Sequence, residues 1–93
     1  MSNKPVIVRT YSAGVHFGYL VERNGKEVTL ERSRRLWQWQ GAWTLNEIAT
    51  SGLDSKRSKI GATVSQIVLT EAIEIIDCSE TGTKTIEEAG WAR

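Results

Sequence analysis

Alternation of apolar and polar positions predicts a β-hairpin in the first third of the chain. Large apolar residues occupy every second position before Asn24-Gly25, which is the period of a strand with one buried face. Asn24-Gly25 is a strong signal for a two-residue turn, because both residue types tolerate positive φ. Pairing about this turn sets Val21 opposite Val28 and Tyr19 opposite Leu30, with all four side chains on one face.

In the returning strand the apolar residues shift from even to odd positions before the tryptophans. Beyond the hairpin, Trp37 and Trp39 no longer continue the alternation of the apolar face. A β-bulge near Arg32–Arg34 would return both indoles to the core and bend the strand. Without a bulge, Arg35, Trp37 and Trp39 line the opposite face together. The pattern leaves both alternatives open, and it favours core packing for these two indoles and partial exposure for Trp43.

The remaining segments predict further strands and two short helices. A strand is expected at Val6–Tyr11, and Val64–Leu69 with Ala72–Ile76 predicts one or two more. A short strand would fit Arg57–Ile60. Thr44-Leu45-Asn46-Glu47 matches a capping box and predicts a helix of about two turns that ends at Gly52. A second capping box, Thr85-Ile86-Glu87-Glu88, predicts a C-terminal helix that ends near Trp91.

These elements predict an α+β, β-rich fold. We expect a bent antiparallel meander or small open barrel of about five strands, with one short inserted helix and a C-terminal helix. The 93 residues are too few for two independent cores, so residues 1–93 are expected to form one domain. Residues 79–93 would then be a tail that is mobile or docks on the domain.

Cysteine and histidine usage limits how so small a domain can be stabilised. Cys78 is the only cysteine, which excludes a disulfide within the chain and fits a reducing cytoplasm. One cysteine and one histidine cannot supply the four ligands of a structural zinc site, and no cofactor is expected. Self-association is the remaining means of stabilisation, so we expect a homo-oligomer. No apolar run approaches a membrane span, and no signal peptide is visible, so we expect a cytoplasmic protein without membrane contact.

Conventional catalytic signals are absent from the sequence. There is no phosphate-loop glycine pattern, no HExxH and no GxSxG. His16 is interpreted as a polar strand residue that faces water or a neighbouring hydroxyl. Cys78 is interpreted as a small buried hydrophobe rather than a nucleophile. We therefore expect a binding protein, not an enzyme.

The most informative chemistry lies in residues 32–43, which hold three arginines and three tryptophans. Guanidinium groups bind phosphate through paired hydrogen bonds, and indole faces stack on nucleobases. The cluster therefore predicts an anionic aromatic ligand, with the basic loop at residues 56–59 as an extension of the same surface. In the predicted site the phosphate is bound by three arginines, Arg9, Arg34 and Arg35. A base stacks on an aromatic ring, for which the candidates are Tyr11, Trp39 and Trp43. Polar contacts come from Ser12 and His16. The alternative interpretation is packing of the indoles and salt bridges of the arginines.

Three segments resemble a family of small bacteriophage proteins of unknown function. They are Tyr11–Gly18 (YSAGVHFG), Arg34–Ala42 (RRLWQWQGA) with Thr44-Leu45, and Leu69–Glu74 (LTEAIE). The resemblance spans roughly residues 5–78. It implies a protein that works in the host cytoplasm. One known class of such proteins comprises oligomeric sponges that sequester the nucleotide signals of bacterial immunity, and this chain is similar to them in size and in Arg/Trp chemistry alone.

These observations lead to three functional hypotheses. The first is a phage-encoded oligomer that sequesters a phosphate-bearing nucleotide, such as a host immune signal, as an anti-defence protein. The second is a nucleic-acid-binding accessory protein, although a net charge of +1 is low for a domain that holds a polyanion. The third is a protein-interaction module or structural component of a phage, with the tryptophans as interface anchors.

Overall fold

The computed structural model describes residues 3–90 and contains six antiparallel strands and two helices. The strands are β1 (Pro5–Thr10), β2 (Val15–Asn24), β3 (Glu27–Gln38), β4 (Lys59–Ile60), β5 (Val64–Leu69) and β6 (Ala72–Asp77). Helix α1 (Leu45–Ser51) is inserted between β3 and β4, and α2 (Glu80–Glu88) follows β6. The sheet order is β4-β3-β2-β1-β6, and β5 also pairs with β3. The β-rich α+β prediction is confirmed, with six strands in an open sheet rather than about five. In the part of the chain that is described, neither helix has the length and apolar character needed to span a bilayer.

The hairpin of β2 and β3 forms, but the predicted register is wrong. The turn lies one residue later than expected: Gly25 alone takes positive φ (64°), and Asn24 stays in β2 opposite Glu27. A turn with glycine at its first central position needs only that one positive φ. Val28 therefore lies opposite Arg23, not Val21.

A second irregularity moves Tyr19 off the predicted face. The register shifts between Leu20 and Glu22, which leaves Val21 without a partner and 47% exposed. Leu20 consequently pairs with Leu30, and Tyr19 pairs with Glu31. Since successive residues of a strand point to opposite faces, Tyr19 and Leu30 lie on opposite sides of the sheet.

The bulge predicted near Arg32–Arg34 is present. Arg32 is the only non-glycine residue between 3 and 90 with positive φ (50°), and it separates the Tyr19–Glu31 pair from the Phe17–Arg34 pair. The extra residue is accommodated at Arg32, so the side chains beyond it exchange faces.

The bulge does not bring both indoles into the core, which corrects the expectation for Trp37. Leu36 takes the buried position after the bulge, and Trp37 is 47% exposed. Trp39 lies past the end of β3 and packs, half-buried, against the core on the helical side. The pattern predicted partial exposure of Trp43, and its side chain is almost fully exposed, at 94%.

Both faces of the sheet are buried over part of their area, each by a different cluster. The helical side contains Ile7, Phe17, Leu36, Ile48, Ala49, Leu53, Ile60, Ile86 and Ala89. The other side, over which the sheet curls, contains Val6, Val8, Val28, Leu30 and Leu69. Strand β1 supplies neighbouring residues to both clusters, which explains why its sequence is a continuous apolar run rather than an alternation.

Helix α1 begins and ends where the sequence predicts, but α2 does not. The Thr44 side chain accepts a hydrogen bond from the Glu47 backbone N–H at 3.1 Å, and Gly52 (φ 93°) caps the C-terminus of α1. Helix α2 begins six residues before the predicted start, because Ser79 rather than Thr85 is its N-cap. The predicted end near Trp91 lies outside the described residues.

Candidate functional site

The segment after β3 forms an open cavity between two tryptophans. Trp39 and Trp43 line it together with the three residues between them, and its volume is about 370 Å³. One indole is anchored, because Trp39 packs on the core, and the other is almost fully exposed. Gly41 reverses the chain between them with φ 87°, and a Cβ at this position would lie 3.0 Å from the backbone N of Asp54. The pairing of the indoles therefore depends on a glycine at the turn.

The backbone of Trp43 is fixed by the start of α1. Its N–H donates a hydrogen bond to the Glu47 carboxylate, one of the two residues of the capping box. The Glu47 backbone N–H in turn binds the Thr44 hydroxyl. The Thr44 bond is the N-cap half of a capping box, while the Glu47 carboxylate reaches back one residue beyond the N-cap to Trp43. The exposed indole is therefore attached to hydrogen-bonded backbone.

A basic loop runs beside this aromatic segment. The backbone of Gln40 accepts a hydrogen bond from the Asp54 N–H at 2.8 Å and donates one to the Ser58 hydroxyl at 3.0 Å. The Asp54 carboxylate accepts from the backbone N–H groups of Lys56 and Arg57, which holds the loop in a turn. Lys56 and Arg57 are both exposed on this loop.

Two further cations lie on the strands that lead into this segment. The Lys59 Nζ atom is 5.5 Å from the centre of the Trp37 ring, within the range of a cation–π contact. Arg35 is exposed on β3, two residues before Trp37 and on the same face of the strand. We call the following residues the aromatic–basic region: Arg35, Trp37, Trp39, Trp43, Lys56, Arg57 and Lys59.

The cations of the aromatic–basic region are free of acidic partners within residues 3–90. The three ion pairs of the described chain join Lys4 to Asp77, Arg9 to Glu74 and Arg32 to Glu31. None of them includes Arg35, Lys56, Arg57 or Lys59. A group of exposed and unneutralised cations raises the local concentration of anionic ligands.

Arg34 is not part of this surface, although it precedes Arg35 directly. Its side chain is buried, and its Nε atom donates to the carbonyl oxygen of Gly61 at 2.8 Å. Its Nη1 atom donates to the carbonyl oxygens of Ile86 and Ala89, each at 2.8 Å. Desolvation by burial lowers the pKa of this guanidinium from its ordinary value, with Glu87 acting in the opposite direction. The donors that were expected to bind phosphate are thus used by backbone carbonyls.

Arg9, Tyr11 and Ser12 lie near the opposite edge of the sheet, where β1 meets β6. Arg9 forms a 3.1 Å ion pair with Glu74, and the Ser12 hydroxyl donates to the Glu71 carboxylate. The Tyr11 ring is 79% exposed and lines a separate cavity of about 260 Å³. Strands β2 and β1 lie between β3 and β6, and none of these three residues lines the cavity between Trp39 and Trp43.

His16 is buried, which corrects the expectation that it faces water or a hydroxyl. It is 1% exposed, and its Nε2 atom lies 2.9 Å from the carbonyl oxygen of Ala13. Burial lowers the pKa of the imidazole, Arg35 opposite on β3 lowers it further, and the hydrogen bond to Ala13 opposes both. The side chain therefore fixes the loop between β1 and β2, and Arg35 is the residue that pairs with His16 on the neighbouring strand.

The structure also contains a larger groove that no pattern in the sequence predicted. Five residues of α2 line a cavity of about 750 Å³ together with Pro5, Tyr19 and Cys78. The Tyr19 hydroxyl donates to Glu87 at 2.6 Å, and the Arg32 guanidinium lies 3.8 Å above the Tyr19 ring. Burial and Glu87 raise the pKa of Tyr19 to about 12, and burial and Asp77 raise that of Cys78 to about 12. Both groups are therefore protonated at neutral pH, which disfavours a nucleophilic role for either.

Groups of side chains that could hold a metal ion were sought over the described part of the chain. Residues 3–90 contain no group of three or more His, Cys, Asp or Glu side chains placed to do so. The aromatic–basic region itself carries cations and indoles, which do not ligate metals.

Comparison with known proteins gives the family of the chain. The family model of DUF6948, described as a domain of unknown function, matches residues 3–86. The chain belongs to this family. No curated protein and no solved structure matches the chain. The DUF6948 description names no activity, so the function has to be argued from the residues themselves.

Proposed function

We propose that this DUF6948 protein binds a phosphate-bearing nucleotide ligand at the aromatic–basic region and does not convert it chemically. The observation that supports the proposal is the cavity shared by Trp39 and Trp43, whose wall at Gln40 is hydrogen-bonded to the loop that carries Lys56 and Arg57. Neither cation has an acidic partner within residues 3–90. A nucleotide has the two matching parts, an aromatic base and an anionic phosphate.

Stacking on the indoles is the first part of the argument. A base that stacks on an aromatic side chain contributes roughly 1–3 kcal/mol to binding, and this contribution depends little on which base it is. The cavity volume of about 370 Å³ is at the lower end of the range of small-molecule sites. This volume suits one base or nucleoside, with Trp39 as the fixed wall and Trp43 as the exposed one.

Phosphate binding is the second part. Arginine binds phosphate oxygens through two parallel hydrogen bonds, whereas lysine acts as a point charge. Lys56 and Arg57 extend from the loop that is hydrogen-bonded to Gln40, and Lys59 lies over the Trp37 ring. In the revised site Lys56 and Arg57 contact the phosphate of a base held between Trp39 and Trp43. Arg35 and Lys59 extend the positive surface on the face of the sheet that carries Trp37, while Arg34 and His16 support the fold.

Titration calorimetry with a panel of linear and cyclic nucleotides tests the proposal. We expect binding of at least one member, with a loss of affinity for Arg57→Ala and unchanged affinity for Arg9→Ala, which removes a cation that is already paired. An absence of heat with every nucleotide at millimolar concentration would overturn the proposal, and so would equal losses for the two variants.

Single-stranded nucleic acid is the second candidate ligand. Trp37 and Lys59 lie outside the Trp39–Trp43 cavity, and they would extend the contact beyond a single nucleotide. Four protein cations that neutralise four phosphates of a single strand release the counterions bound to those phosphates. The logarithm of the binding constant therefore falls with the logarithm of salt concentration at a slope of about −3. A mononucleotide-sized ligand gives a much shallower slope, and filter binding at several salt concentrations separates the two.

The more specific hypothesis is sequestration of a host immune nucleotide by a phage-encoded protein. Sequestration requires affinity without turnover, and the aromatic–basic region supplies indoles and cations, which are groups suited to binding. Mass spectrometry of small molecules that remain bound through purification tests this hypothesis. We expect a nucleotide in an amount comparable to that of the protein, and recovery of a non-nucleotide ligand instead would reject it.

A further inference from the structure

The two long edges of the open sheet differ in how they are protected. Strand β5 pairs with β3 alone, and β6 pairs with β1 alone. Although only Thr70 and Glu71 connect β5 to β6, the two strands do not pair with each other and instead bound opposite edges of the curled sheet. Each edge strand therefore presents backbone N–H and C=O groups that can pair with another strand.

Strand β6 has the side chains that proteins commonly use to block such an edge. Its Glu74 and Asp77 are charged and are paired with Arg9 and Lys4. A second strand that approached β6 would have to accommodate these charges next to its own side chains. Charged residues of this kind oppose edge-to-edge association.

Strand β5 has none of this protection. Its sequence, Val-Ser-Gln-Ile-Val-Leu, contains no charged residue, no proline and no glycine, and three of its six residues are β-branched. Val64, Ser65, Gln66 and Val68 are exposed, and the two valines remain 46% and 49% exposed. A neutral six-residue edge with exposed β-branched side chains is a template for pairing with another strand.

We infer that β5 pairs antiparallel with β5 of a second copy and joins the two sheets across a twofold axis. The self-complementary composition supports a second copy as the partner, because no charge on β5 meets a like charge on its symmetry mate. The interface is isologous, so it closes at two subunits, whereas pairing of β5 with β6 of another copy would continue into a filament. This inference uses no residue of the aromatic–basic region and is independent of the proposed function.

The register of the pairing follows from side-chain direction. Residues directly opposite each other in an antiparallel pair lie on the same face, so under a twofold axis normal to the sheet the two residue numbers must have the same parity. The register that sets Gln66 opposite its own counterpart also sets Val64 opposite Val68 of the other copy. Both exposed valines are then covered twice per dimer, which is why we choose this register.

Light scattering of matched variants tests the surface. The wild-type protein is expected to have a mass of about 21 kDa, twice the 10.4 kDa of one chain. Val68→Lys on β5 and Ile73→Lys on β6 remove exposed apolar side chains of almost equal exposure, 49% and 50%. We expect Val68→Lys to raise the dimer dissociation constant roughly tenfold or more, since the substitution occurs twice per interface, and Ile73→Lys to leave it unchanged. Urea denaturation of both variants checks that the fold is retained.

Cross-linking tests the register. Opposing residues of an antiparallel pair have Cα atoms about 4.5–5.5 Å apart, within the range that a disulfide bridges. Gln66→Cys should therefore form a disulfide-linked dimer under mild oxidation, while Ile73→Cys and the wild-type protein, which retains Cys78, should remain monomers on a non-reducing gel. A monomeric wild type at high concentration, dissociation by Ile73→Lys rather than Val68→Lys, or cross-linking at Ile73→Cys instead of Gln66→Cys would each overturn the inference.

Discussion

The Nη1 atom of Arg34 donates a 2.8 Å hydrogen bond to the carbonyl oxygen of Ala89, just past the C-terminal end of α2. The last carbonyls of a helix have no partners within the helix, and the helix dipole favours a positive charge at that end. Helix α2 has no basic residue in its own last turn. Strand β3 therefore supplies, from within the sheet, the charge that α2 lacks.

Substitution of Arg34 is expected to weaken the fold rather than ligand binding. Arg34→Ala removes the guanidinium donors from the carbonyl oxygens of Gly61, Ile86 and Ala89. We therefore expect the free energy of unfolding to fall by about 3 kcal/mol, with a smaller loss for Arg34→Lys. The exposed neighbour provides the control: Arg35→Ala should change it by less than about 0.5 kcal/mol. Urea denaturation measures both. Equal effects of the two alanine variants on stability would contradict the assignment.

Removal of the Trp43 indole should affect binding alone. Because Trp43 is 94% exposed, Trp43→Ala should change the free energy of unfolding by less than about 0.5 kcal/mol. Loss of the stacking between this indole and a base should weaken nucleotide binding by about 1–3 kcal/mol. The control is Tyr11→Ala, which removes a 79% exposed ring from the other edge of the sheet and should leave affinity unchanged. Calorimetry that showed the reverse order would move the site to Tyr11.

Gly82 should not tolerate a side chain, although it lies within α2. Glycine-to-alanine changes usually stabilise a helix, but a Cβ at Gly82 would lie 2.3 Å from the carbonyl oxygen of Ala49 in α1. The helices would have to separate, so Gly82→Ala should reduce the free energy of unfolding by at least about 2 kcal/mol. A Cβ at Gly90 meets no atom within 4 Å, and Gly90→Ala should change it by less than about 0.5 kcal/mol. Thermal denaturation compares the two, and a stabilised Gly82→Ala protein would show that the helices do not pack as described.

Burial of His16 should make stability depend on pH in the acid range. Burial lowers the pKa of the His16 imidazole in the folded protein below the ordinary 6.5, which is the value in the unfolded chain. Between these two values the unfolded chain binds more protons than the folded protein. The free energy of unfolding is therefore expected to fall as pH decreases below 6.5, with a slope of at most about 1.4 kcal/mol per pH unit from this group. His16→Gln should lose that part of the slope. Urea titrations from pH 4.5 to 7.5 measure it, and an identical slope in the variant would exclude His16 as its source.

Cys78 should react slowly while the protein is folded. Desolvation by burial, with Asp77 as the second cause, raises its thiol pKa from 9.0 to about 12. The thiolate fraction near pH 8 then falls roughly a thousandfold, and alkylation, which requires the thiolate, should slow in proportion. Iodoacetamide labelling followed by mass spectrometry should show rapid modification only in denaturing urea. Labelling of the folded protein at the rate of a free thiol would contradict the burial of this group.

Local sequence signals predicted the helices and strands more accurately than they predicted which face of the sheet each side chain occupies. Thr44 and Gly52 bound α1 where expected, because a capping box and a C-terminal glycine act through backbone bonds only a few residues away. Ser79 was not identified as the N-cap of α2, since the residue three positions on is Gly82, so no capping box marks this start. Nothing local shows that this glycine is needed for close approach to α1.

The site could be predicted only in part, because its geometry depends on strand register. The density of arginine and tryptophan in residues 32–43 identified the segment, and exposure of Trp43 followed from its place before a helix. Which arginine faces solvent depends on the bulge at Arg32 and on the carbonyls of a distant helix, and neither is encoded near Arg34. Ion pairing of Arg9 with Glu74 likewise needs the pairing of two strands 65 positions apart in the chain.

The bulge at Arg32 sets the phase of everything that follows it in β3. With the extra residue in place, the Arg34 side chain is buried and the Arg35 side chain is exposed. Adjacent arginines of one strand therefore lie on opposite faces of the sheet. Arg35 and Trp37 on the outward phase are exposed, while Arg34 on the inward phase is held by carbonyl oxygens at the end of α2. Loss of that single residue would exchange the two sets at once, so the length of this strand, as much as its composition, is under constraint.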